Sequence, residues 1–222
     1  MKINSARLFG IFFILSFMSY AIGIGIMGNL QNSQIQPFQV IENKVSLVVG
    51  AILIAIFHTL FNLGLVVIMF NILKSINKSL SIIYLILSSF GTLLLALGAV
   101  FLLLPVTTSE TLVLLSTEYD HSVFEMILSL SSGGNFYSYQ IGMILWGIGG
   151  LFFCNLLYRS KYVPVIFPIW GSFGYLIFIA GCGLELFGVP YGVQFSAPGG
   201  LFEIGLSVWL IVKGFNKNQF IS

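Results

Sequence analysis

Six apolar stretches punctuate this chain, at about 8–27, 45–73, 82–104, 139–158, 164–187 and 196–213. A helix of about 20 apolar residues crosses a ~30 Å hydrocarbon core, and in that core only a helix or a closed barrel satisfies its backbone internally. Stretches of this length and apolarity predict spanning helices. The expected fold is all-α: an integral membrane bundle of six transmembrane helices forming one domain over residues 1–222. Composition agrees, since only 7% of the 222 residues are charged against about 25% in soluble domains.

The charges are sorted by side. With six crossings, Lys2, Arg7, Lys74, Lys78, Arg159, Lys161, Lys213 and Lys217 fall on one side and Lys44 alone on the other. Glu42, Glu110, Glu118, Asp120 and Glu125 share the side of Lys44. Basic loops stay in the cytoplasm, so both termini are expected there, in a bacterial plasma membrane. Lys2 and Arg7 ahead of a long apolar run, with no small-residue cleavage site, suggest an uncleaved first helix. The net charge of +2 and the lack of a long basic run argue against nucleic acid as a partner.

The connections carry their own signals. Between 106 and 138, Leu112, Leu115, Tyr119, Val123, Met126 and Leu130 recur at helical spacing, with Glu118, His121 and Glu125 on another face. This predicts an amphipathic helix in the long external loop, ended by Ser131-Ser132-Gly133-Gly134-Asn135. Pro105 is expected to stop the third helix and Pro198-Gly199-Gly200 to break the sixth. Gly23, Gly25 and Gly28 spell a GxGxxG, but without a preceding strand the dinucleotide reading fails. Cys154, five residues from Arg159, is expected near one membrane face and Cys182, about 31 Å of helix beyond Lys161, near the other, so unbridged.

Glu203 is the leading functional residue. It lies ten residues before Lys213, about 15 Å up a helix and near mid-membrane. An acid there costs about 2–3 kcal/mol or more unless neutralised or partnered, so it marks a site or a specific internal contact. Gly200, Glu203, Ser207 and Gly214 share a face, which turns Glu203 into the bundle. His58 and Asn62, one turn apart on the second helix, extend a polar track, and Glu185 closes the packed glycine face of the fifth. Glu203, His58, Asn62 and Glu185 are therefore the candidate ligand- or proton-binding residues. The competing reading for each is a hydrogen-bonded packing residue. Glu118, His121 and Glu125 have metal-ligand chemistry, though a solvated face explains them and no metal site is assigned. No catalytic residue and no cofactor is assigned, because the two histidines do not make a zinc or haem set.

The run LFEIGLSVWLIVKGFN, residues 201–216, and LYRSKYVPVIFPIWGSFGYLIFIAGCGLELFG, residues 157–188, resemble the C-terminal part of a family of bacterial membrane proteins known as domain of unknown function 4386. The start, KINSARLFGIFFILSF, is similar in style. The resemblance implies a small multi-helix membrane protein and no particular activity. By resemblance Glu203 matches the acid of the family's terminal signature.

Three functions fit these residues. A small-molecule or proton-linked binding or transport protein would use the buried Glu203. A structural or accessory subunit would present its small-residue faces to a membrane protein partner. An intramembrane enzyme would need several ionisable groups converging on a lipid-accessible cleft, and the chain supplies few.

Overall fold

A computed structural model describes residues 2–28, 36–114, 121–190 and 192–216, and among these it contains helices and no strand. The elements are α1 (Lys2–Met27), α2 (Pro37–Glu42), α3 (Lys44–Ile52), a π-helical turn (Leu53–His58), α4 (Thr59–Leu73), α5 (Lys78–Phe101), α6 (Leu104–Leu114), α7 (His121–Ser160), α8 (Ile166–Leu186) and α9 (Gly192–Val212). They make six helical spans long and apolar enough to cross a membrane, so this is a multi-pass membrane protein.

Local chemistry sets several of the ends. Asn77 caps α5, its side-chain oxygen accepting the Leu80 N–H at 3.0 Å. Gly28 ends α1 in the left-handed region, at φ 59°, where a side chain would be strained. At the α7–α8 turn Lys161 itself takes φ 53°. The C-terminal segment braces that turn: Asn216 donates its backbone N–H to the Tyr162 carbonyl at 2.8 Å and its amide to the Lys161 carbonyl at 2.9 Å.

Glycines bring helices into backbone contact, as expected where lipid offers no hydrophobic drive for association. On α1, Gly10 faces Ser207 and Ile211 of α9, while Gly23 faces Gly50 and Ile54 of the second span. Helix α1 therefore runs antiparallel to both. A Cβ on Gly91 would stand 2.6 Å from the Gly142 carbonyl oxygen, which fixes the α5–α7 contact. Two apolar clusters result. One is built on Phe9, Leu65, Met69, Leu156, Leu206 and Leu210, the other on Met27, Leu47, Ile54, Leu102, Val106 and Phe124. At the end of the second cluster Lys44 and Glu110 form an ion pair of 2.5 Å.

Three sequence expectations are corrected. The Ser131–Asn135 stretch does not end a helix, because α7 runs through it for 40 residues, about 60 Å. Its small residues serve packing instead. The Phe101 ring occupies the space a Cβ on Gly134 would need, and Ser131 donates its hydroxyl to the Phe101 carbonyl at 2.7 Å. Along this stretch Phe124 and Ser131 are buried, while Val123, Met126 and Leu130 of the expected apolar face are exposed. Leu115, Glu118 and Tyr119 of that pattern lie outside the described residues. Pro105 does not close the third run either. Helix α5 ends at Phe101, and Pro105 takes the second position of α6, where a missing N–H is harmless.

The third correction concerns Pro198-Gly199-Gly200, which lies inside a continuous α9. Pro198 is early in that helix, and the glycine after it is where α8 crosses. A Cβ on Gly174 would stand 2.8 Å from the Gly199 Cα. The irregular backbone is found elsewhere, in the π-helical turn that ends at His58.

Candidate functional site

Glu203 projects from α9 into the bundle and is 7% exposed. Two donors end on the same carboxylate oxygen, Oε1: the Trp146 indole N–H from α7 at 3.0 Å, and the Tyr175 hydroxyl from α8 at 2.7 Å. Each is placed by a glycine-lined contact. The Tyr175 ring occupies the space over Gly150, where a Cβ would stand 2.4 Å from it. Trp146 lies one turn beyond Gly142, in the close α5–α7 contact. Ser207 donates its hydroxyl to the Glu203 carbonyl at 2.7 Å. Among the described residues no cation pairs with the acid.

His58 and Asn62 face the same interior from the second span. The Asn62 amide donates to His58 Nε2 at 2.9 Å, and the two residues are 6% and 5% exposed. His58 Nδ1 and Asn62 Oδ1 are buried without a protein partner. Such orphans are uncommon, because an unpaired buried polar group costs about 1–3 kcal/mol. His58 closes the π-helical turn, a backbone irregularity that recurs at functional sites because it re-aims side chains.

Glu203, His58 and Asn62 line one cavity, together with Ser16 and Tyr20 of α1, Thr92 of α5, and Tyr139 and Trp146 of α7. About 120 Å³ of it is open to the centre of a water molecule. One water needs roughly 10–15 Å³ on that measure, so the space holds a small molecule or several waters. Tyr20 bridges the polar groups, its ring 5.3 Å from that of His58 and 6.3 Å from that of Tyr139. The cavity sits between the two apolar clusters, since Phe13 and Trp146 belong to one and Tyr20 packs on the other.

Glu185 is the sequence candidate left outside this cavity. It accepts a hydrogen bond from the Gln140 amide, one residue along α7 from Tyr139. Of the metal-type residues, Glu125 is exposed on α7 and Glu118 lies outside the described residues, while His121 opens α7. Among the described residues no three His, Cys, Asp or Glu stand close enough to hold a metal ion. Cys154 and Cys182 are free and buried.

Sequence reasoning did not find Trp146, Tyr175, Tyr20 or Tyr139 as site residues. Aromatic residues in apolar runs look like packing. The signal available was Trp146 beside Gly147 and Gly150, and Tyr175 beside Gly174. Of these glycines Gly150 makes room for a ring with a polar handle, that of Tyr175, whereas Gly147 meets Ile179 and Gly174 meets Gly199.

The search among curated proteins and the search among solved structures each return no match. A family model described as a domain of unknown function matches residues 8–214, nearly the whole chain, Glu203 and His58 included. The chain therefore belongs to the family of domain of unknown function 4386 (DUF4386).

Proposed function

We propose that this protein binds a small molecule in the cavity between Glu203 and the His58–Asn62 pair, as a carrier or binding protein of the bacterial plasma membrane. The observation that carries this reading is the pair of orphaned polar atoms, His58 Nδ1 and Asn62 Oδ1, at a cavity that also holds a buried acid. A packing role for these groups would satisfy them within the protein. A bound molecule satisfies them from outside it, and a site enclosed by helices of a bundle is a common place for one. The charge asymmetry of the loops, eight basic residues against one, supports a cytoplasmic location for both termini. On that orientation the second apolar cluster faces outward.

The test is a thermal-shift screen of small polar metabolites on purified protein in detergent, run in parallel on wild type, Glu203→Gln and His58→Ala. Compounds that stabilise wild type and lose their effect in both variants support the reading. Absence of any such compound, with growth unaffected by either substitution, counts against it.

A second reading, an accessory subunit that packs against a partner, draws on one observation. Helix α7 is about twice as long as the ~30 Å core requires, and its first half exposes Val123, Met126 and Leu130. Copurification of a membrane protein that is lost when these three residues are made polar would favour it.

A further inference from the structure

The walls of the cavity narrow the class of molecule. Resting on the binding reading above, we propose that the ligand is a small organic ammonium, an alkylated or primary amine that also bears a hydroxyl or amide group. Three features of the site carry this inference.

The first is charge. Glu203 is the one Asp or Glu among the described residues lining the cavity, and no Lys or Arg lines it. An anion would meet a carboxylate and no counter-charge. An ammonium would replace the missing ion pair of a buried acid.

The second is the aromatic wall. Phe13, Phe17, Tyr20, Tyr139 and Trp146 line the cavity with Glu203. The faces of such rings carry negative quadrupole charge and attract a cation within about 6 Å, by ~2 kcal/mol or more when water is excluded. They cannot serve as ligands to a hard metal ion, which needs six or more oxygens around it. An aromatic box with one acid therefore selects organic over metal cations. Trp146 belongs to both parts, since its N–H holds Glu203 Oε1 at 3.0 Å while its ring stands edge-on to Phe13 at 6.3 Å.

The third is the opposite wall, where His58 Nδ1 and Asn62 Oδ1 are unpartnered. They require a group with hydrogen-bonding capacity at the far end of the ligand. A purely hydrocarbon ammonium would leave them buried and unpaired. The cavity volume of about 120 Å³ limits the part of the ligand held inside it to the ammonium head and a few further heavy atoms.

Trp146 is a built-in reporter. In a Trp170→Phe, Trp209→Phe background it is the remaining tryptophan of the three. Its fluorescence is titrated with free choline, with ethanolamine, and with 3,3-dimethylbutan-1-ol, the uncharged isostere of choline. A fourth arm uses lysophosphatidylethanolamine, in which the same amine is part of a lipid headgroup. The expected result is saturable quenching or shift by a free amine, none by the neutral isostere, and binding weakened by roughly tenfold or more in Glu203→Gln. Saturation by the lipid alone, again lost in Glu203→Gln, supports the ammonium assignment with a headgroup as its source. Equal binding of choline and its neutral isostere overturns the ammonium assignment and leaves the binding site standing. No response to any probe, where the metabolite screen gives hits of other charge, also overturns it. No response in either experiment removes both readings.

Discussion

Tyr175 donates its hydroxyl to the Glu203 carboxylate at 2.7 Å, linking α8 to α9 at a point where both side chains are buried. Trp146 of α7 donates to the same oxygen, so one acid gathers three helices. Tyr175→Phe removes a donor to a buried acid without changing the shape of the ring. The expected cost is about 1.5–3 kcal/mol, seen as a lowered thermal midpoint in detergent. Adding Trp146→Phe should cost less or more than its effect alone, because the two donors share one acceptor. Strict additivity would mean that the bonds act independently.

The glycines of the Ser131–Asn135 stretch test its helical conformation. Gly133 has open space where a Cβ would go, whereas a Cβ on Gly134 meets the Phe101 ring at 2.5 Å. Gly133→Ala should stabilise the protein by about 0.5–1 kcal/mol, since alanine is the better helix former. Gly134→Ala should destabilise it by about 1–3 kcal/mol through overpacking. Thermal unfolding of the two variants separates the cases. A destabilising Gly133→Ala would point to a turn rather than a helix at that position.

The π-helical turn at Leu53–His58 accommodates one extra residue in the second span. Deleting Ala55 should restore regular α-helix with α3 and α4 keeping their faces, because the wide turn absorbs the ~100° of one extra residue. The Gly50–Met27 contact and the His58–Asn62 pair should both survive, while the side chains of the turn itself are re-aimed. The expected outcome is a folded protein in which ligand stabilisation is weakened. Full retention of both stability and ligand response would show that the extra residue has no bearing on the site.

Lys44 and Lys74 mark opposite ends of the second span. With both native cysteines buried, Lys44→Cys and Lys74→Cys provide clean labelling sites. In intact cells a membrane-impermeant maleimide should label the first variant, and the second only after permeabilisation. The reverse pattern would invert the proposed orientation.

A single sequence determined a good deal here. Long apolar runs have one stable state in hydrocarbon, so the six spans follow from length and hydropathy. Glu203 was marked because a carboxylate ten residues from the nearest basic edge must be buried whatever the arrangement of helices. His58 and Asn62, one turn apart, share a face by helical geometry alone, and they meet at 2.9 Å.

Only the tertiary structure decided which buried groups meet. The two donors to Glu203 lie 57 and 28 residues away in the chain, and helix order and rotation brought them to one oxygen. The same choice admitted His58 and Asn62 to the cavity of Glu203 and left Glu185 with Gln140. Glycine and proline were ambiguous for a physical reason. A residue without a Cβ loosens a helix in isolation, yet it also lets a second helix approach closely enough to hold it. Between packed helices the second effect wins, because an open backbone there would lose its hydrogen bonds with no water to replace them. Gly134 against Phe101 and Gly199 against Gly174 are therefore contacts, and the π-helical turn fell in an apolar run, Leu53–His58, that carries neither residue type.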